Sequence, residues 1–268
     1  MKTALMNYLK LPFNLLKGMI EMDHEVIIGR NPVMEALQSG RSIKEVLLSQ
    51  QLNKKTENKF KQAIKRVNVQ VRKVPKHVLD ELTTGNHQGI VAYVAPYEYA
   101  SIEDLFNRAQ ERNEEPFFII LDELEDPHNL GSILRTADAA GVHGVIIPRR
   151  RAVGLTAAVA KTSAGAIEYV PVVQVTNVVD TMKELKERNI WIVGTDAEGS
   201  EDYRSLDGAT PIALVIGNEG RGMSRLVKET CDWTVHLPMK GQVSSLNASV
   251  ACSLLMYEIY RKRNPLGE

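Results

Sequence analysis

Hydrophobic and polar positions along the chain fall into two blocks of different rhythm. In the first, short apolar runs alternate with polar, helix-like stretches. Val26–Gly29 (VIIG) reads as a strand. Asn31 is a candidate N-cap, with Pro32 at the first helical position and Gly40 as the stop. KEVLLS (44–49) is strand-like, Lys54–Val67 is helical, and VQVRKV (69–74) alternates like a half-buried strand. Pro75 opens a helix through VLDEL, and GIVAYVAP (89–96) closes the block as a strand. The sum is a small α/β unit of about 70 residues, a usual size for a minor domain.

The segment Tyr97–Glu115 is charged, ends at Pro116, and reads as a helical linker. From Phe117 the apolar runs become continuous and are separated by helical stretches. FFIILD, NLGSILRTADAAG and GVIIP come first, then AIEYVPVV and a helix around Val178–Arg188. IWIVGTD, PIALVIG and TVHLP follow, with a final helix over Leu246–Arg263. Apolar strands between helices predict a mostly parallel sheet covered on both faces, in which ligands gather at the carboxyl ends of the strands. The expected division is an extension over 1–23, a small domain over 24–96, a linker over 97–115 and a larger domain over 116–268.

Composition changes this picture little. With 44% hydrophobic and 25% charged residues the 268-residue chain is an ordinary globular one. It has no apolar run of roughly 18 residues that would span a bilayer. Cys231 and Cys252 stand outside any metal-ligand spacing and read as buried reduced thiols, which points to the cytoplasm. Residues 1–22 mix lysine and leucine without an apolar core or a cleavage site, so they do not read as a secretory signal. Charge is uneven: Lys+Arg against Asp+Glu is 12 to 6 over 24–96, 2 to 6 over 97–115 and 16 to 19 over 116–268. A basic first block suggests a grip on a polyanion, while a solvated helix face around Lys54–Arg66 explains the same charges.

Three loops carry candidate chemistry. In LDELEDPHNLGSILRTADAAG, Asp126-Pro127 forces an extended entry, Asn129 suits a helix cap, and Gly131 permits close approach of a backbone or ligand. Arg135 and Asp138 stand one turn apart, so the carboxylate could hold the guanidinium. In LVIGNEGRGMS, Gly217, Gly220 and Gly222 lie where a buried strand gives way to a helix, and Glu219 offers an acceptor. GNEGRG so late in the chain is a poor dinucleotide fingerprint, which disfavours a dehydrogenase. In LPMKGQVSSLNASVA, Ser245 and Asn247 straddle a helix start, where capping alone is the plain explanation. Leu237, Met239 and Leu246 would pack around a flat ring or simply fill core. No metal site is expected.

Taken together and in this order, the three loops resemble the signature motifs of the SpoU/TrmH branch of the SPOUT RNA methyltransferases, over about Ile119–Tyr260. The upstream block, with IIGRNPVMEAL and NHQGIVAYVAPYEY, resembles the substrate-binding domain attached to such enzymes, an L30-like RNA-binding fold. The nearest likeness is to the bacterial enzymes that methylate a guanosine 2′-oxygen of 23S rRNA. The resemblance implies an α/β, trefoil-knotted catalytic domain, a homodimer with active sites at its interface, and S-adenosylmethionine as cofactor. Carried over by position, Gly217, Gly220, Leu237, Met239 and Leu246 would hold the cofactor. Asn129, Arg135, Glu219, Ser245 and Asn247 would face the ribose and methyl donor. Apart from the resemblance, the run Arg149-Arg150-Arg151 follows the strand GVIIP near the same sheet edge and is expected to contact RNA phosphates, an exposed loop being the plain alternative; Arg30 in the small domain is also expected to contact RNA.

Arginine stays protonated in proteins, so Arg135 is better suited to stabilise a developing alkoxide than to act as base. The alternatives are a tRNA 2′-O-methyltransferase or a non-catalytic RNA-binding protein of ribosome assembly. Measurable S-adenosylmethionine binding separates the last from the enzymes.

Overall fold

The computed structural model describes residues 25–39, 41–67, 69–242 and 245–266. The readings placed on residues 1–24 and on Gly40 lie outside them. The chain divides into two compact units, 1–97 and 98–268.

In the smaller unit, strands β1 (Glu25–Ile28), β2 (Ile43–Ser49), β3 (Gln70–Val74) and β4 (Ile90–Val94) form one sheet in the order β1-β4-β2-β3. Helices α1 (Arg30–Ser39), α2 (Lys54–Val67) and α3 (Lys76–Leu82) connect them. Leu47, Val74, Leu79, Val91 and Tyr93 form a core there. The first helix begins at Arg30, one residue before the expected cap at Asn31.

The larger unit holds a seven-stranded sheet in the order β7-β6-β5-β10-β8-β11-β9, and each pairing recorded in it is parallel. Its strands are β5 (Phe117–Leu121), β6 (Gly144–Pro148), β7 (Val172–Val175), β8 (Trp191–Thr195), β9 (Glu201–Asp202), β10 (Ile212–Ile216) and β11 (Trp233–His236). Central β5 and β10 are buried at every position, as strands covered on both faces must be. Phe118, Ile120, Ala213 and Val215 face one layer of apolar side chains from α4 (Ile102–Arg112), α7 (Val178–Glu187) and α8 (Arg225–Thr230). The alternate positions face the other way. There α5 (Pro127–Ala139) packs on α9 (Ala248–Arg263), and the Arg263 guanidinium lies 5.3 Å from the Phe117 ring.

Two local readings change. The charged segment 97–115 is not a bare linker, because its helix α4 buries Leu105 and Ala109 in the larger unit. Gly144 makes the room: a Cβ there would lie 2.1 Å from Leu105 Cδ2. Two buried positions four apart make a stripe too narrow to stand out among so many charges. Within AIEYVPVV, Ala166–Glu168 is a 3-10 turn, and only the last two residues, Val172 and Val173, belong to a strand. The short elements α6 (Ala157–Thr162) and β9 have no periodicity long enough to read, whereas α8 is the helix expected after the glycines of LVIGNEGRGMS. Both cysteines are unpaired, and burial pushes the Cys231 thiol up to about 12 and raises that of Cys252 as well.

Candidate functional site

At the carboxyl edge of the larger sheet, the chain reverses tightly after β10. Asn218 and Gly222 exchange backbone hydrogen bonds (3.0 and 2.8 Å), so residues 217–223 close on themselves. A Cβ at Gly217 would lie 2.3 Å from both Gly222 C and Met223 N, and Gly222 holds φ +68°. The glycine at 217 is thus demanded by the loop's own backbone. Asn218 fills the loop: its Oδ1 accepts from Gly220 N and Arg221 N, and its Nδ2 donates to the Glu123 carbonyl. Buried Asp122, at the end of β5, accepts from Ser224 N at 2.7 Å and pins the far side. Neither Asn218 nor Asp122 stood out in the sequence, because each acts through backbone groups.

This loop carries Glu219 to a meeting point of three segments. Glu219 Oε1 accepts from Asn129 Nδ2 (2.5 Å), Asn247 Nδ2 (2.5 Å) and Ala248 N (3.3 Å). Asn247 Nδ2 also donates to Asn129 Oδ1 at 3.0 Å, across 118 residues of sequence. The two asparagines divide their duties differently from the sequence reading. Asp126, not Asn129, caps α5, accepting from His128 N at 2.8 Å. Pro127 then occupies the first turn, which leaves Asn129 4% exposed with its amide free for the cluster. Asn247 does both: its Oδ1 caps α9 through Ser249 N and Val250 N, while its Nδ2 serves the cluster.

Beside the cluster lies a cavity of about 420 Å³, within the range of small-molecule sites. Gly217, Glu219, Gly220, Leu237, Met239, Ser245 and Leu246 line it, so the five expected cofactor positions share one wall system with two of the expected catalytic ones. The β8 loop contributes Thr195, Asp196 and Glu198, which the sequence reading passed over. The strand-end rule applied equally to IWIVGTD, and that was the available signal. Partial burial raises the Asp196 carboxyl, but Lys228 at 2.6 Å and the Glu198 amide outweigh it and hold it below the usual carboxylate range.

Other expected residues do not line the cavity. Arg135 is exposed and does not line the cavity, and its side chain makes no hydrogen bond or ion pair among the described residues, so the suggested pairing with Asp138 is not formed. Gly131 serves packing: a Cβ there would lie 2.6 Å from Thr162 Cβ in α6. Arg149, Arg150 and Arg151 are all exposed, and Arg151 also pairs with Glu123 at 2.9 Å. Arg30, in the smaller unit, donates to the Gln88 carbonyl through Nε.

The model of the SpoU rRNA Methylase family matches residues 116–257, and that for RNA 2′-O ribose methyltransferase substrate binding matches residues 26–100. YacO of Bacillus subtilis (strain 168), named for the TrmH family of tRNA/rRNA methyltransferases, is 56% identical over 249 residues, covering 93% of this chain and all of the relative. The SpoU methyltransferase AviRb of Streptomyces viridochromogenes, crystallised with AdoMet, covers 91% of this chain and 92% of its own at 28% identity, with a TM-score of 0.77. A TrmH/SpoU tRNA modifying enzyme of A. aeolicus covers 59% of this chain and 84% of its own at 30% identity, with a TM-score of 0.52. By fold, by the two matched models and by identity along nearly its whole length, this chain belongs to the SpoU/TrmH family of S-adenosylmethionine-dependent RNA methyltransferases.

Proposed function

We propose that the protein transfers a methyl group to a ribose 2′-oxygen of RNA, with a guanosine of large-subunit rRNA as its target. The observation that carries this reading is the Asn129–Glu219–Asn247 cluster opening onto the cavity at the sheet's carboxyl edge. The residues present suit S-adenosylmethionine. Leu237, Met239 and Leu246 supply apolar surface for a purine, the 217–222 backbone supplies hydrogen-bonding groups, and Asp196 and Glu198 supply acceptors for hydroxyls or an amine. Bound there, that cofactor supplies an electrophilic methyl group.

The protein's share is orientation. Glu219 and the two asparagine amides present acceptors and donors at fixed spacing, so a ribose hydroxyl is held in one direction. A guanidinium near the reacting oxygen would stabilise negative charge as the proton leaves. Arg135 of the same chain lies away from the cavity, which supports its delivery from a second copy. Helix α9, capped by Asn247, exposes Val250, Leu254, Tyr257 and Tyr260 along one side. Such an apolar stripe beside an incomplete site suits an isologous dimer. The same reading carries a trefoil knot in the chain around the second and third loops, and RNA contacts from Arg30, Arg149 and Arg150.

Two findings favour rRNA over tRNA. The first matched family model is described for rRNA. The tRNA modifying enzyme matches no more of this chain than the larger unit alone would supply, whereas residues 26–100 match a substrate-binding model of their own. Mapping 2′-O-methyl positions in rRNA and tRNA from cells with and without the gene tests the reading. Loss of one rRNA guanosine methyl is expected. A loss confined to tRNA would transfer the assignment there, and no loss in either RNA would reject it.

A further inference from the structure

Two arginines, one lining the cavity and one from a neighbouring loop, are organised around one carboxylate. Strands β6, β5 and β10 are neighbours in the sheet, so the loops leaving their carboxyl ends run side by side. Glu123, from the β5 loop, accepts Arg151 of the β6 loop on Oε1 at 2.9 Å and pairs with Arg221 of the β10 loop on Oε2 at 3.3 Å. The carboxylate side chain is 19% exposed, while the two arginine side chains are 72% and 66% exposed. Two cations therefore share one anion, and most of their N–H donors remain open to solvent.

The surrounding backbone holds this triad in place by other means. Glu123 and Arg151 adopt φ of +56° and +55°, and the Glu123 carbonyl is tied down by Asn218 Nδ2 at 3.0 Å. Asp122 anchors the same loops through Ser224 N. Exposed ion pairs contribute little, so the triad adds little to the loops' stability. Its position is more informative. Arg221 lines the cavity two residues after Glu219, and Arg149 and Arg150 stand exposed beside Arg151. A carboxylate held between two guanidiniums also occupies the place that a phosphate, with its matching oxygens, would take.

We propose that Arg151 and Arg221 form a subsite for an RNA backbone phosphate adjoining the nucleotide to be methylated, with Glu123 holding both guanidiniums in register until that phosphate replaces it. This rests on the RNA methyltransferase reading above, and it adds a residue, Arg221, and a role, that of Glu123, to it.

The test uses full-length protein, a target rRNA fragment, RNA binding from 50 to 200 mM salt, and calorimetric S-adenosylmethionine binding. Arg151→Ala and Arg221→Ala should each lower the slope of log K against log salt by about one. Each should raise KM for RNA more than it lowers kcat and leave S-adenosylmethionine affinity unchanged. Glu123→Gln keeps the side chain's size and removes the competing charge, so RNA binding should hold or tighten. Weakened RNA binding in Glu123→Gln, matching the arginine variants, would make the triad a loop latch and overturn the proposal. So would an unaltered salt slope, or an Arg221→Ala variant that loses S-adenosylmethionine affinity, which would assign that arginine to the cofactor. Wild-type protein that binds RNA but methylates no ribose would reject the enzyme reading, while the salt slopes still decide the subsite.

Discussion

Asn247 joins helix capping to the candidate catalytic cluster, and two substitutions separate those roles. Asn247→Ala removes the cap on Ser249 N and Val250 N, worth about 1 kcal/mol. It also removes the bonds to Asn129 Oδ1 and Glu219 Oε1, each worth about 1 kcal/mol net. Buried Asn129 then keeps an unanswered carbonyl, so a total near 2–4 kcal/mol is expected, with no dependence on pH. Asn247→Asp retains the capping oxygen but turns a carboxylate toward Glu219. At an effective dielectric of 20 and a separation of about 3 Å, the repulsion has a ceiling of about 5 kcal/mol. Glu219 is exposed, so about 1–2 kcal/mol should survive screening.

That repulsion raises the folded-state pKa of the carboxylate pair above its unfolded value. The pair's stability contribution is then intact below the unfolded pKa near 4 and lost as pH rises through the folded one. Asn247→Asp should therefore cost less at pH 4 than at pH 8, whereas Asn247→Ala should cost the same at both. Urea unfolding followed by tryptophan fluorescence reads this well. The chain's two tryptophans, Trp191 and Trp233, both lie in the larger unit, with ring centroids 5.6 Å apart. An Asn247→Asp cost that is flat between pH 4 and pH 8 would refute the electrostatic argument. An Asn247→Ala cost below about 0.5 kcal/mol would refute the double role.

Other expectations concern the loop, a buried histidine and the second copy. Gly217→Ala drives a methyl group into the Gly222–Met223 backbone, so S-adenosylmethionine affinity by calorimetry should fall by at least about tenfold, or 1.4 kcal/mol; unchanged affinity would show that the loop relaxes. Burial pushes His143 down to about 4, against the Glu114 bond that favours its charge, while its Nδ1 accepts from Phe117 N. The unfolded chain takes up this proton first, so stability is lost as pH falls from about 6.5 toward 4, by up to about 3 kcal/mol. In His143→Gln that limb of the pH–stability curve should flatten, and an identical slope would count against it. If Arg135 completes the partner's site, a re-equilibrated equimolar mixture of inactive Arg135→Ala and Asn129→Ala should recover about a quarter of wild-type methylation; a mixture that stays inactive would argue for sites within one chain.

Much of the architecture could be read from the order of residues. The continuous apolar runs FFIIL and IALVI announced buried parallel strands, and the charge and alternation of the first block marked a separate small unit. Periodicity reports only local burial, so it gave α4 as a helical linker and missed its contribution to the core, which rests on Leu105 seated over Gly144. It likewise could not tell which of Asp126 and Asn129 caps α5, since both residue types satisfy the same backbone donors.

For the site, the residue types at the strand ends, with their glycines and asparagines, were legible because close backbone turns and helix starts restrict what can stand there. Which of those groups touch was not. Asn129, Glu219 and Asn247 meet because β5 and β10 are adjacent in the sheet while α9 packs on α5, and adjacency of strands leaves no local trace in sequence. The same holds for Arg221 and Arg151, which look like ordinary surface charges until the fold sets Glu123 between them. Local backbone chemistry is written residue by residue, whereas contacts between distant segments are decided by how the whole chain buries its apolar surface.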